Sequence, residues 1–229
     1  PQQAPLPIPD LAAPEAWPRS DRLADWHLLP TKPDWSAGFA EAWEPGEAAA
    51  HRQLAQFADH ADRYRDERNL PSIDGSSRLS PRLHWGELSP AQVWHALEGQ
   101  DGDGVETFRS ELIWRDFTQN IILTFPGYQT QNYREQFERF PWRYDEADIR
   151  AWREGRTGYP IVDAGMRQLW QSGWLHNRVR MIVASFLIKH LLIDWREGER
   201  WFWDCLVDAD YGNNAVNWQW VAGTGVDAN

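Results

Sequence analysis

The chain has little cysteine and no long apolar run, and each absence excludes a class of protein. Cys205 is the single cysteine among 229 residues, so no internal disulfide can form, as is typical of a reducing cytoplasm. No apolar run approaches the roughly 20 residues that span a bilayer. The opening stretch PQQAPLPIPDLAAPEAWPRS lacks the basic and apolar regions of a signal peptide. We therefore expect a cytoplasmic protein outside the membrane.

Alternating strand patterns, internal repeats and a GxGxxG motif are also absent from the sequence. Helical spacing of apolar residues predicts a helix over 47–68, another over 105–124 and several more toward the C-terminus. Ser89 followed by Pro90 is a helix-start signal. The fold class is therefore predicted to be all-α, with residues 46–229 as one helical domain and residues 1–45 as a linker or wrapping segment.

The net charge of -11 argues by itself against a nucleic-acid partner. The charge is uneven, however, because residues 134–180 hold 9 arginines against 7 acidic residues. A phosphate-binding face is therefore compatible with an acidic chain. The content of 16 tryptophans indicates an unusual core, or rings used for stacking or electron transfer.

Two helical segments carry side chains suited to a flat ligand. Glu111, Trp114 and Arg115 share one helix face, where an indole can stack and a carboxylate can bind an edge. An ordinary Glu–Arg surface pair is the alternative. At the start of an apolar helix, Asn177 and Met181 flank two arginines. This pattern fits either a helix end that faces phosphate or a helix end that is only exposed to solvent.

Two further segments are rich in polar groups. Asp210, Asn214 and Trp218 follow one another at four-residue intervals, with Asp208 just before them. Paired aspartates can bind a metal, but no histidine has ligand spacing there, so we expect no metal; polar contact to an organic cofactor is as good an interpretation. Gly75 precedes a loop of hydroxyls and a guanidinium, which is either a pyrophosphate cradle or a plain polar turn.

Taken together, these segments resemble the flavin domain of photolyases and cryptochromes. The resemblance rests on GSSRLSPRLHWGELSP, ELIWRDF, the long run from GRTGYPIVDAGMRQLWQSGWLHNRVRM through IDWREGERWF, and DADYGNNAVNWQWVAGTG. It implies an all-helical domain that binds FAD. The residues that it places at the cofactor are Tyr64, Ser76, Ser77, Arg78, Leu79, Ser80, Phe108, Arg115, Arg180, Asp208, Ala209, Asp210 and Asn214.

Within that set, the resemblance pairs Arg180 with Asp208 beneath the flavin ring and places Asn214 at flavin N5. It also implies UV-damaged DNA as the partner of a monomeric protein, with the dimer flipped out of the stack, since photolyases are a standard example of base-flipping enzymes. The implied substrate and DNA contacts are Arg68, Glu111, Trp114, Arg115, Asn177, Arg178, Met181 and Trp220.

The resemblance further implies that excited, fully reduced FAD donates an electron to a cyclobutane pyrimidine dimer and recovers it after ring opening. Glu111, if protonated or sharing a proton in its desolvated site, would stabilise the radical anion at a thymine carbonyl. Trp218, Trp195 and Trp142 align with the tryptophans that relay electrons from the surface to the flavin. They complete the expected catalytic set of Glu111, Asn214, Trp218, Trp195 and Trp142.

Residue choices favour the class I cyclobutane-dimer enzymes over their relatives. Asn177 and Met181 occupy positions that correspond to histidines in six-four photolyases. Asn214 occupies the position that corresponds to an aspartate in plant cryptochromes. A cryptochrome-type photoreceptor without repair activity is the alternative. Family members begin with an α/β antenna domain and continue beyond GTGVDAN, so we expect a catalytic fragment without an antenna chromophore.

Overall fold

The computed structural model describes residues 4–7, 9–29, 31–32 and 34–228. Within these ranges the regular structure is helical, and an isolated bridge between Arg143 and Ile193 is the single β feature. The all-α prediction is confirmed. The helices are α1 (Ala37–Ala42), α2 (Glu47–Ala58), α3 (Tyr64–Glu67), α4 (Ser80–His84), α5 (Pro90–His95), α6 (Asp103–Thr124), α7 (Glu146–Arg153), α8 (Pro160–Ser172), α9 (Asn177–Ser185), α10 (Trp195–Cys205) and α11 (Tyr211–Ala222).

Short 3-10 turns cover Leu23–Trp26, Ala61–Arg63 and Glu135–Arg139, and a π-helical turn, Phe186–His190, extends α9. In that turn the Leu191 amide donates to the Phe186 carbonyl at 3.1 Å. The apolar helix predicted after His176 is therefore one α-helix with a wider final turn. No helix in the described residues combines the length and apolar character that crossing a bilayer requires.

Helix starts follow the capping signals of the sequence. The Ser89 hydroxyl accepts from the Gln92 amide, and the Gln92 side chain accepts from the Ser89 amide, which forms a complete capping box before Pro90. The predicted helix end at Thr124 is also observed. Both predicted boundaries are confirmed. They could be predicted because hydrogen bonds between neighbouring residues determine them.

The predicted continuous helix over 47–68 is wrong. Helix α2 ends at Ala58, and His60 leaves the helical region with φ -139° and ψ 20°. The chain bends where the start of α6 packs against it: a Cβ on Gly104 would lie 2.1 Å from the Asp62 carbonyl oxygen. This close packing of two backbones interrupts the helix, and apolar spacing along the sequence carries no record of it.

Two main apolar clusters and a third, small one form the interior of the described residues. The larger main cluster involves α7 to α11 and buries Trp152, Trp195 and Trp218; the smaller involves α2 to α6 and buries Tyr64 and Phe108. The third buries Tyr128, Ala215 and Val216. Helices α6 and α11 pack against each other and join the clusters. The polar residues predicted to bind a ligand occur on these helices and on the loops beside them.

Described residues before position 35 are exposed, whereas the segment that follows is attached to the helical body. The Trp43 indole donates to the Ser172 carbonyl at 2.7 Å, and Gly38 packs so closely on Gln171 that a Cβ would lie 2.3 Å from its carbonyl oxygen. A glycine is therefore needed in α1 for its contact with α8. The division of the chain at residue 45 stays a prediction.

Candidate functional site

A buried carboxylate joins three segments that are far apart in the sequence. The Arg180 guanidinium donates to both oxygens of Asp208 at 2.8 and 3.1 Å, and the Ser80 hydroxyl donates to one of them at 2.5 Å. The Asp208 side chain is 2% exposed. A carboxylate this deeply buried is stable only with such partners, so α4, α9 and the start of α11 are held together here.

The predicted phosphate loop is held in shape by its neighbours. The Gln53 amide donates to the carbonyls of Ser77 and Arg78 at 2.9 and 2.8 Å, and the Ser77 hydroxyl accepts from the Leu79 amide at 3.4 Å. Arg78 has a left-handed backbone (φ 50°), and its guanidinium lies 4.7 Å from the Trp174 ring centroid. The loop residues Ser76 to Ser80 thus combine hydroxyl, amide and cationic groups, the chemistry that binds phosphates.

Aromatic contacts place two predicted cofactor residues side by side. The rings of Tyr64 and Phe108 meet edge-to-face at 5.2 Å, and Phe57 contacts both of them. Burial raises the pKa of Tyr64 to about 12, so its hydroxyl remains a donor. The Arg68 guanidinium lies 5.1 Å from the Tyr64 ring centroid.

Glu111 pairs with Arg68, the residue that follows α3, rather than with Arg115 on its own helix. The alternative of a Glu–Arg surface pair within α6 is therefore replaced by a contact between α6 and the end of α3. Arg115 instead lies 3.6 Å from Asp210 at the start of α11. Trp114, one turn beyond Glu111, is half exposed and contacts Phe117 edge-to-face at 5.4 Å.

The start of α9 carries the second predicted substrate-binding group. Arg178 donates to the Asn69 side chain at 2.9 and 2.5 Å and lies 3.3 Å from the Met181 sulfur. Asn177 is exposed beside it, and Trp220 on α11 is 44% exposed. These side chains therefore offer polar and flat apolar surface at the molecular exterior.

His176 caps α9 from a position close to four arginines. Its Nδ1 accepts from the Arg178 amide at 3.2 Å, so the proton of the neutral ring resides on Nε2. Burial, followed by the charges of the arginines nearby, lowers the pKa of His176; they are Arg178, Arg68, Arg78 and Arg180. The residue is 5% exposed, and the lowered pKa keeps its ring neutral at neutral pH beside this positive cluster.

The two predicted aspartates have different partners. Asp210 caps α11 by accepting from the Asn213 amide at 2.8 Å, and it also accepts from the Gln119 side chain at 2.9 Å. Asp208 binds Arg180 and Ser80, as described above. Among the described residues, no three His, Cys, Asp or Glu side chains converge as metal ligands.

The predicted electron-relay tryptophans lie in the larger apolar cluster. Trp218 is buried against Phe202, with ring centroids 5.0 Å apart, and a Cβ on Gly198 would lie 2.1 Å from its ring. Trp195 is fully buried and donates to the Asn132 side chain at 2.9 Å. Trp142 packs at the edge of the same cluster. Their relay role stays a prediction.

Sequence reasoning missed several residues that hold the site. Glu199 is buried and binds Asn214; Gln119 binds Asp210; Asn69 binds Arg178. One of them carried a detectable signal, because Glu199 follows Trp195 by four residues and precedes Phe202 by three. It therefore stands on the apolar face of its helix, where an acidic residue is unusual.

Comparisons with known proteins agree with this geometry. The family model for the FAD-binding domain of DNA photolyase matches residues 108–229. Deoxyribodipyrimidine photo-lyase of Agrobacterium fabrum is 54% identical over 227 residues, covering 97% of this chain and 47% of that protein. The Escherichia coli enzyme of the same name is 47% identical over 189 residues, covering 80% of this chain and 40% of that protein.

Two solved structures are also similar. The crystal structure of a class III photolyase from Agrobacterium tumefaciens matches with a TM-score of 0.90 and 54% identity, covering 96% of this chain and 46% of that one. A Synechocystis cryptochrome matches with a TM-score of 0.74 and 38% identity, covering 82% and 41%. The chain thus spans about half the length of the relatives it matches.

The chain belongs to the family of FAD-binding domains of DNA photolyases. FAD is accordingly the cofactor of this domain, as the resemblance implied. The class I assignment is not confirmed, since the structural relative described above is a class III photolyase.

Proposed function

We propose that this chain is the FAD-binding catalytic part of a photolyase that uses light to split cyclobutane pyrimidine dimers in DNA. The observation that carries the proposal is the junction at Asp208, where Arg180 and Ser80 meet one buried carboxylate. It brings the phosphate loop, the first turns of α9 and the start of α11 to one place. Curated relatives named deoxyribodipyrimidine photo-lyase support the same activity.

The side chains present fit FAD. Hydroxyls and the Arg78 guanidinium in the loop suit the pyrophosphate, and Tyr64 contributes a hydroxyl that remains protonated. The carboxylates of Asp208 and Asp210 suit the hydroxyl groups of the ribityl chain. Asn214 would lie at flavin N5, as the resemblance implies, with Phe108, Leu79 and Ala209 as apolar contacts.

The substrate would be held by the residues on the exposed side of α6, α9 and α11. Trp114 and Trp220 offer partly exposed indole faces on which a flipped pyrimidine dimer can stack. Arg68, Arg115 and Arg178 supply positive charge for the DNA backbone. A dimer pairs and stacks poorly, so moving it out of the duplex costs less free energy than flipping a normal base.

Bound FAD supplies the electron for ring opening, and the protein supplies position and electrostatics. Glu111 is held by Arg68 at the rim of the site, where a shared proton would let its carboxyl donate a hydrogen bond to a carbonyl oxygen of the dimer. Trp218, Trp195 and Trp142 would conduct electrons to restore the reduced cofactor. We propose that residues 46–229 carry these functions in a cytoplasmic monomer and that residues 1–45 are a connecting segment.

The finer assignment rests on three positions. Asn177 and Met181 in place of histidines favour cyclobutane over six-four photoproducts, and Asn214 in place of aspartate disfavours a plant-type photoreceptor. The identity to the class III structure favours that class over the class I anticipated from the sequence. The similarity to a cryptochrome makes a signalling photoreceptor the second candidate.

A repair assay on an oligonucleotide with one thymine dimer tests the proposal. We expect blue-light repair by the wild type with reduced FAD, and slower repair by Glu111→Ala. Trp218→Phe should lose photoreduction of oxidised flavin yet repair at the wild-type rate when the flavin is reduced chemically. A flavin-binding protein with equal product in light and dark would indicate the photoreceptor.

A further inference from the structure

Arg178, in the first turn of α9, differs from the neighbouring arginines of the candidate site in having no acidic partner. Four other arginines are each paired with a carboxylate: the pairs are Arg68–Glu111, Arg78–Asp74, Arg115–Asp210 and Arg180–Asp208. Among the described residues, no carboxylate pairs with Arg178, whose side-chain hydrogen bonds go to other groups. Its positive charge is therefore not compensated within the described part of the chain.

The partners of Arg178 are neutral. Its Nε and Nη2 atoms donate to Asn69 Oδ1 at 2.9 and 2.5 Å, and its Nη1 atom lies 3.3 Å from the Met181 sulfur. Its backbone amide donates to the neutral ring of His176. Asn69 thus holds one edge of the guanidinium, while each terminal nitrogen retains an N–H group without a partner among the described residues. Such a pair of N–H groups suits bidentate binding of a phosphate.

Asn69 is itself held in one orientation. Its Nδ2 atom donates to the Arg65 carbonyl at 3.0 Å, at the end of α3, and this leaves Oδ1 to face Arg178. An amide supplies both the donor and the acceptor that these two contacts need. An aspartate would lack the donor for the Arg65 carbonyl and would place a negative charge against Arg178. The position therefore requires an amide to hold Arg178 without compensating its charge.

We propose that Asn69 is a positioning residue that holds Arg178, with its charge uncompensated, for binding to a phosphate of the DNA strand. This inference rests on the proposed function, in which Arg178 contacts DNA. Counter-ions leave the DNA when a cation binds a phosphate, and each such contact steepens the dependence of log affinity on log salt by about 0.9 for a duplex. The paired arginines contribute less to this slope, because each keeps a carboxylate beside it.

Three variants separate the charge of Arg178 from its position. DNA affinity would be measured over a range of salt concentrations, on a duplex oligonucleotide with one thymine dimer and on its undamaged counterpart. Arg178→Met should reduce the salt slope by about 1. Asn69→Asp should reduce the slope as far and weaken binding at low salt by about tenfold, because its carboxylate neutralises Arg178. Asn69→Leu leaves the charge but not the position, so affinity should fall about threefold at the wild-type slope.

Asn120→Asp is the matched control. Asn120 is an exposed asparagine on α6 whose Nδ2 atom also donates to the carbonyl four residues earlier, that of Asp116, at 3.0 Å. No arginine binds its side chain in the described structure. This variant therefore adds the same negative charge and loses the same local bond as Asn69→Asp, and we expect the wild-type slope.

A second measurement reports on the position of Arg178 without DNA. The Nε–H signal of Arg178 in ¹⁵N NMR, assigned by its loss in Arg178→Met, should exchange slowly with water in the wild type and in Asn69→Asp, and rapidly in Asn69→Leu. Wild-type affinity and slope in folded Asn69→Asp would overturn the inference. A slope in Asn69→Leu that falls as far as in Asn69→Asp would also overturn it, because the effect would then be independent of charge. Equal binding of both oligonucleotides by the wild type would contradict the proposed function, while the slopes and the Nε–H signal would still decide the role of Asn69.

Discussion

Arg180 and Asp208 form an ion pair in which one guanidinium nitrogen donates to both carboxylate oxygens, at 2.8 and 3.1 Å. Arg180 belongs to α9 and Asp208 precedes α11, so the pair connects two helices of the larger apolar cluster. Ser80 adds a third contact from α4. The pair therefore serves the fold and the candidate site together.

Removing one partner of the Arg180–Asp208 ion pair should destabilise the protein more than removing both partners. Arg180→Met leaves the Asp208 carboxylate buried with only Ser80 as a partner, and we expect a loss of about 2–3 kcal/mol in the free energy of unfolding. Arg180→Met combined with Asp208→Asn should recover part of that loss. Urea unfolding measures both. Arg200→Met, which removes an exposed cation, is the control and should cost at most about 1 kcal/mol.

His176 should make stability depend on pH. Its pKa is lowered in the folded protein, chiefly by burial, so the unfolded chain binds more protons as the pH falls. The stabilisation is therefore complete above the ordinary histidine pKa of about 6.5 and is lost as the pH falls through the lowered value.

The comparison is with His176→Asn, which retains a side-chain cap but does not titrate. Unfolding free energies between about pH 8 and pH 5 should show the wild type losing its advantage over the variant on acidification. A difference that stays constant across this range would contradict the assignment of a buried, neutral His176.

Gly198 should tolerate no larger side chain while Trp218 is present. An alanine Cβ would lie 2.1 Å from the indole and 2.8 Å from Leu187, so Gly198→Ala should cost about 1–3 kcal/mol despite the better helix propensity of alanine. Trp218→Phe removes the indole atoms that the alanine Cβ would meet. The free energy of unfolding of the double variant should therefore be close to that of Trp218→Phe alone. Additive losses in the double variant would show that the two residues do not interact.

Cys205 should be unreactive in the native protein. Burial raises the pKa of its thiol to about 12, with a smaller contribution from the Asp204 carboxylate. The thiolate is the reactive form, so alkylation at neutral pH should proceed only through unfolding. A native-state rate equal to the rate in urea would show that the thiol is accessible.

How far the sequence predicts the structure depends on the range of the interaction. The capping box at Ser89 and the helix end at Thr124 are set by neighbouring residues and were predictable. The break at His60 depends on Gly104, more than 40 residues away, and local periodicity cannot reveal it. The all-α fold followed because helical spacing repeats along most of the chain.

The site shows the same limit. Tyr64 became a candidate only through the resemblance, whereas Asp208 was noticed as one of two paired aspartates whose ligand the segment alone left open. Glu199 and Asn69 were missed because their partners, Asn214 and Arg178, are distant in the sequence or on another helix. Of these residues, only Glu199 could have been noticed in the sequence, because it is an acidic residue on an apolar helix face.

Binding of FAD to the purified chain tests the central claim most directly. Titration followed by quenching of flavin fluorescence should show saturable binding at one FAD per chain. Binding should weaken at least about tenfold in Asp208→Asn, which loses the charge that holds Arg180, a loss of about 1.4 kcal/mol or more. Arg200→Met should bind like the wild type. An absence of saturable binding, or equal affinity in all three folded proteins, would contradict the account.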